Sequence, residues 1–162
     1  MISIIKGVST ALMLILLAVT MPLFPAYAKT YTYQDPQGFF KVEVSEEVFT
    51  ISSPKTDQTT ILHVFSPLKA DLQNHPVLAV NGGGHDPLYF LPFGMRFVAR
   101  GITFCTVGWP GHEENDLKVL AKATFASSIA LYESAAQKVT EITGKKPVGY
   151  FWSMGGIILS GG

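Results

Sequence analysis

Along this chain, apolar positions first follow a period of two and later run together without polar interruption. Phe40, Val42 and Val44 alternate with Lys41 and Glu43, the mark of a strand with one buried face. Val48–Ser52 is placed to pair with it, Ser53–Gln58 reads as a turn around Pro54, and Thr59–Ser66 is rich in β-formers. Before these, Lys29–Gly38 is polar and aromatic, with Pro36 and Gly38, and reads as an extended lead-in ending in a turn. Two or three antiparallel strands are therefore expected ahead of Pro76.

Beyond Pro76 the pattern changes. Val77–Val80 is wholly apolar and is ended by Asn81-Gly82-Gly83-Gly84-His85. A short strand with no polar face is buried on both sides, as in a parallel sheet covered by helices. Pro92 suits the first turn of a helix running to Arg100, and Gly101 suits its left-handed cap. Ile102–Val107 reads as a second buried strand, closed by Gly108-Trp109-Pro110-Gly111-His112. Leu117, Leu120, Thr124, Ser128, Leu131, Ala135, Val139 and Ile142 then recur at steps of three and four, predicting one long helix. Glu114 or Asn115 would cap it, Asp116 sits near its positive end, and Gly144 stops it. Val148–Trp152 reads as a third buried strand. Alternating strands and helices imply parallel strands joined by right-handed crossovers, so an α/β fold with a mostly parallel sheet is expected.

The N-terminus follows neither period. Lys6 is the only charge in residues 1–20, and an apolar-to-small run from Val8 to Val19 leads to Pro22, Pro25 and Ala26-Tyr27-Ala28. A basic start, a short apolar core and an A-x-A ending describe a secretory signal peptide over residues 1–28, leaving 29–162 as the mature domain and a secreted or periplasmic location. A membrane anchor is the rival reading, but the run is shorter than the ~20 residues of a spanning helix, so no stable membrane span is expected after cleavage.

Composition changes the picture in two places. Of 12 basic residues Lys6 leaves with the signal, so 11 face 12 acids and the formal charge is −1. Nucleic-acid binders concentrate Lys and Arg on one face, so no nucleic-acid partner is expected. Cys105 is the single cysteine and lies in an apolar run, where a small buried hydrophobe is the natural reading rather than a nucleophile.

Candidate chemistry lies in the three loops that follow the three apolar strands, because ligands bind at the C-terminal strand ends of an open parallel sheet. In Val148-Gly149-Tyr150-Phe151-Trp152-Ser153-Met154-Gly155-Gly156 an apolar strand feeds a serine and two glycines. This matches the second half of the G-x-S-x-G elbow, which presents a serine hydroxyl above a sheet; Phe151 stands where the first glycine would be. The glycine run is also readable as a plain flexible turn. No phosphate loop fits, because Pro87 breaks the glycine spacing and no G-K-[ST] occurs. His112, Glu113 and Asp116 match no zinc spacing, so neither metal nor cofactor is expected.

From about Val77 to Gly156 the chain resembles the α/β-hydrolase family of esterases, lipases and related hydrolases. Asn81-Gly82-Gly83-Gly84 is similar to the family's oxyanion loop, with Asn in place of His, and Trp109-Pro110-Gly111-His112 looks like its Pro-Gly-His loop. The resemblance implies Ser153 as nucleophile, the backbone N–H groups of Met154 and Gly83 as the oxyanion hole, Gly155 and Gly156 as elbow glycines, and a small-molecule or lipid ester as substrate. It also implies an acid and a histidine after the serine, whereas His63, His75, His85 and His112 all precede it. The expected fold is thus a partial α/β-hydrolase fold cut after the elbow, either a fragment of a longer product or a truncated, inactive descendant. The 162 residues alone are expected to be poorly soluble and to show no Ser153-dependent turnover. Two readings stay open beside the exported serine hydrolase: a non-catalytic α/β binding domain, and other chemistry on the same fold.

Overall fold

A computed structural model describes residues 25, 27–69, 73–81, 86–111 and 117–152. Its strands are β1 (Tyr27–Gln34), β2 (Lys41–Ser53), β3 (Thr56–Pro67), β4 (Val77–Val80), β5 (Phe104–Val107) and β6 (Val148–Phe151). A 3-10 turn (Pro87–Phe90) leads into α1 (Leu91–Val98), and α2 (Leu117–Lys122) and α3 (Phe125–Thr143) separate β5 from β6. The six strands form one sheet in the order β1-β2-β3-β5-β4-β6.

That sheet is mixed rather than mostly parallel. β1 with β2, β2 with β3 and β3 with β5 are antiparallel; β4 is parallel to both β5 and β6. The parallel part is confined to the three strands whose connections carry helices, as right-handed crossovers require.

Both faces of the sheet are covered, and alternation along each strand divides the core in two. Leu78, Val80, Cys105 and Val107 point to the side packed by Leu131, Tyr132, Ala135 and Val139 of α3. Ala79 and Phe104, the intervening positions, point to the side packed by Met95 and Val98 of α1.

The same alternation explains why Phe40–Val44 and Val48–Ser52 are not two strands. β2 runs unbroken through Ser45-Glu46-Glu47. Its first half buries Val44 and Glu46 beneath the α1 layer, and its second half buries Phe49 and Ile51 beneath α3. The apolar phase therefore switches in mid-strand and resembles a break. Glu46 tolerates burial because Lys29 Nζ lies 2.9 Å from one carboxylate oxygen and His63 Nδ1 lies 3.2 Å from the other. The segment read as a lead-in is β1 itself, with Tyr31 paired opposite Val44.

The long helix is also two. Thr124 is extended, and its hydroxyl accepts from the N–H of Ser127 while the Ser127 hydroxyl accepts from the N–H of Thr124. This reciprocal cap starts α3 and separates it from α2. Ser128, Leu131, Ala135 and Val139 are buried as the stripe predicts, whereas Thr124 is an exposed cap and Ile142 is exposed. Gly101 (φ 81°) and Gly144 (φ 73°) close their helices in the left-handed region, as expected.

β6 is the remaining correction. Among the described residues it pairs only with β4 and forms the sheet's edge, so Val148, Phe151 and Trp152 are exposed there rather than buried.

Candidate functional site at the ends of the parallel strands

The register of the parallel strands sets the geometry. Val80 pairs with Val107 on one side and with Phe151 on the other, so β4, β5 and β6 end level with one another. Asn81, Gly108 and Trp152 therefore leave the sheet side by side. Asn81 enters the glycine loop, Gly108 enters the Trp-Pro-Gly loop, and Trp152 leads to Ser153. Ser153, Met154, Gly155, Gly156 and Gly83 lie outside the described residues, as do His85 and His112. What the structure describes is the frame that carries them.

Hydrogen bonds fasten that frame tightly. The fully buried Asn81 side chain donates from Nδ2 to the Asp86 carbonyl at 2.7 Å, tying together the two residues that flank 82–85. Asp86 Oδ1 accepts from the Leu88 N–H at 2.6 Å and so caps the 3-10 turn, in which Pro87 occupies the first position. Thr106 Oγ1, from β5, donates to the Pro87 carbonyl at 2.8 Å. The next residue on β5's exit, Gly108, is close enough that an added Cβ would stand 2.9 Å from Pro87 Cγ. Its carbonyl accepts from Thr60 Oγ1 at 2.8 Å. Trp109, buried against the α3 layer, donates from Nε1 to the Asn81 carbonyl at 3.3 Å. The Trp152 N–H donates to the Val80 carbonyl at 3.3 Å. All three strand exits are thus linked through β4.

Aromatic rings line the β6 side of this edge. Phe90 packs edge-on against Tyr150 and Trp152 at 5.7 and 6.1 Å, and Phe93 lies 5.0 Å from Tyr150. Phe151 faces the other way. Its ring folds back over Gly149, where any added Cβ would collide with it, and β6 holds register with β4 through Phe151. Phe151, two residues before the serine, is thus accommodated within its own strand.

Several other groups stand apart from this edge. The Cys105 thiol is fully buried in the α3 layer, and burial pushes its pKa up, which opposes a nucleophilic role. A surface recess of about 710 Å³ lies between the β2–β3 turn and the start of α3. Its Lys55 and Glu133 pair at 2.6 Å, and Asn81, Gly108 and Trp152 are not among the residues that line it. Among the described residues no group of three or more His, Cys, Asp or Glu side chains is gathered to hold a metal ion. No helix among them is long and apolar enough to cross a membrane.

Neither a protein-family model nor a curated protein matches this chain. Solved structures do. The chain aligns with the PEG-bound complex of a cold-adapted esterase from an Arctic intertidal metagenomic library at 16% identity and a TM-score of 0.56. It aligns with a native structure so described at 16% and 0.52, and with a zinc-bound one at 18% and 0.52. The fold is esterase-like. The match to the first covers 82% of this chain and 58% of that one, so the chain spans little more than half its length.

Asn81, Thr106 and Trp109 carry the frame; the sequence places Asn81 and Trp109 in candidate loops but shows none of these bonds. Asp86-Pro87 before an apolar run was a readable cap signal. The Thr106 and Trp109 bonds depend on β5 lying beside β4, which no local pattern reveals.

Proposed function

We propose that this chain is the nucleophile-bearing part of an exported serine hydrolase acting on small-molecule or lipid esters or other acyl bonds. The observation that carries the reading is the level ending of β4, β5 and β6, which delivers the glycine loop, the Trp-Pro-Gly loop and the residue before Ser153 to one sheet edge. The esterase-like fold supports it. In this reading the Ser153 hydroxyl adds to the acyl carbonyl while a base takes its proton; the adduct then collapses, the C–O bond breaks, the proton passes on to the leaving alcohol, and water hydrolyses the acyl-serine. The N–H groups of Met154 and Gly83 hold the transient oxyanion; donors fixed in advance need no rearrangement as charge develops. The bonds that Asn81 and Thr106 make to the Asp86 and Pro87 carbonyls, beside 82–85, support that reading.

Export relies on residues 1–28. Cleavage after Ala28 shortens β1 to Lys29–Gln34 and leaves the Lys29–Glu46 pair intact.

The test is labelling of the gene product, including any continuation of its reading frame, with a fluorophosphonate probe. Labelling that disappears in Ser153→Ala is the expected result, because the probe reacts only with an activated serine. A product that is folded yet unlabelled would overturn the reading in favour of a non-catalytic binding domain.

A further inference from the structure

We infer that the Ala28–Lys29 bond is a processing site that a leader peptidase hydrolyses only while β1 is unpaired from β2; this rests on the export reading above. A copy that folds with its leader attached therefore keeps it. The export reading puts the cut between Ala28 and Lys29, and the structure puts the same bond inside a strand. Tyr27 pairs with Val48, Ala28 with Glu47, Lys29 with Glu46 and Thr30 with Ser45, in one continuous register. Two paired residues thus stand on each side of the bond. A peptidase takes the residues around its cut into a cleft that surrounds them, so a segment already laddered to a neighbouring strand must first peel away. The side chains of Tyr27, Ala28, Lys29 and Thr30 are exposed, so the ladder rather than depth withholds the bond.

Side chains latch the same stretch. Lys29 Nζ lies 2.9 Å from the carboxylate of Glu46, which is buried and also accepts from His63 Nδ1 at 3.2 Å. The Lys29 ammonium sits over the rings of Tyr27 and Tyr31 as well, 5.5 and 4.9 Å from their centroids. Tyr27 and Lys29, the neighbours of Ala28, are therefore held to each other and to β2, and peeling residues 27–30 away breaks these contacts together with four ladder pairs. In the cut itself the oxygen of water bonds to the Ala28 carbonyl carbon and the C–N bond breaks. The protons of that water pass to the Lys29 nitrogen and leave it as an α-ammonium, with a carboxylate on Ala28.

The experiment uses the full gene product, with any continuation of its frame, made without export so that residues 1–28 remain. Purified leader peptidase is given the folded precursor and, separately, precursor diluted from urea at the moment of mixing. The folded form should be cut at least about tenfold more slowly, the scale of one hydrogen bond lost on opening, and both should yield Lys29 as the new N-terminus. The double variant Tyr31→Pro with Thr32→Pro should close that gap. Neighbouring positions of an edge strand point their N–H groups to opposite sides, so one of the two prolines removes a ladder bond. Equal rates for folded and diluted parent would overturn the inference and leave the leader reading standing. A diluted precursor that is never cut, or is cut elsewhere, would overturn both. If the double variant does not fold, amide hydrogen exchange of Tyr27–Thr30 in the parent precursor carries the test: protection of about tenfold or more is expected, and unprotected exchange would overturn the inference.

Discussion

Gly94 offers the sharpest test of how α1 is seated. It lies on the buried side of that helix, and an added Cβ would fall within the ring of Phe104. That ring is fully buried and cannot swing aside. It stacks against Phe97 at 6.3 Å and against Phe65 at 6.4 Å. Two terms oppose each other in Gly94→Ala. Helix propensity alone favours alanine by about 1 kcal/mol. Overpacking a filled core costs about 1–3 kcal/mol, and the upper half applies where both ring faces are already occupied. The net expectation is a loss of about 1–2 kcal/mol, or roughly 2–8 °C in thermal midpoint for a domain of this size. Urea and thermal unfolding of the full-length product measure it. Phe104→Leu removes the obstruction, so the double variant should recover about 1 kcal/mol relative to the sum of the singles. If Gly94→Ala is as stable as the parent, or the two changes simply add, the close seating of α1 on Phe104 is wrong.

Three further outcomes follow from polar and titratable groups. Tyr132 Oη is buried without a partner among the described residues, so Tyr132→Phe should stabilise by about 1 kcal/mol at neutral pH. Burial pushes the Tyr132 and Tyr31 phenols up, and the hydrogen bond to Glu46 pushes the Lys29 ammonium up. Each folded state holds its proton longer than the unfolded chain does. These contributions are therefore fully present below the ordinary values of 10.0 and 10.5 and are lost as pH rises through the raised ones. Alkaline unfolding should begin above about pH 10 and be shallower in Tyr132→Phe; an identical profile would contradict the assignment. Glu46→Ala should cost about 1–3 kcal/mol by removing the acceptor of His63 Nδ1–H, and Glu46→Ala with His63→Leu should restore most of it. Denaturant midpoints of the two variants decide this, and equal losses would argue against the pair.

What the sequence made legible was local. Val77–Val80 and Phe104–Val107 announce themselves as apolar runs between turn residues, and Gly101 and Gly144 announce helix ends. What it hid depended on partners far along the chain. Glu46 looked like a break because Lys29 and His63, on two other strands, make its burial possible. Thr124 looked like part of a stripe because its spacing fits; the Thr124–Ser127 box that ends one helix and begins another was present but outweighed by periodicity. β6 looked buried because its residues are apolar, yet only its place in the strand order decides exposure. The loops bearing Gly83 and Ser153 were found by motif, and the register of β4 with its neighbours brings their flanks together.

The strand order also governs how the chain can assemble during synthesis. β3 and β4 follow one another, yet β5 is the strand that lies between them. Until Phe104–Val107 has left the ribosome, the meander of β1, β2 and β3 carries a bare outer edge, and β4 has no neighbour at all. At 5–20 residues per second, the interval from Val80 to Val107 is about one to five seconds. During it, two unpaired strands of high β propensity are open to other chains or to a chaperone. One four-residue segment ends both exposures together.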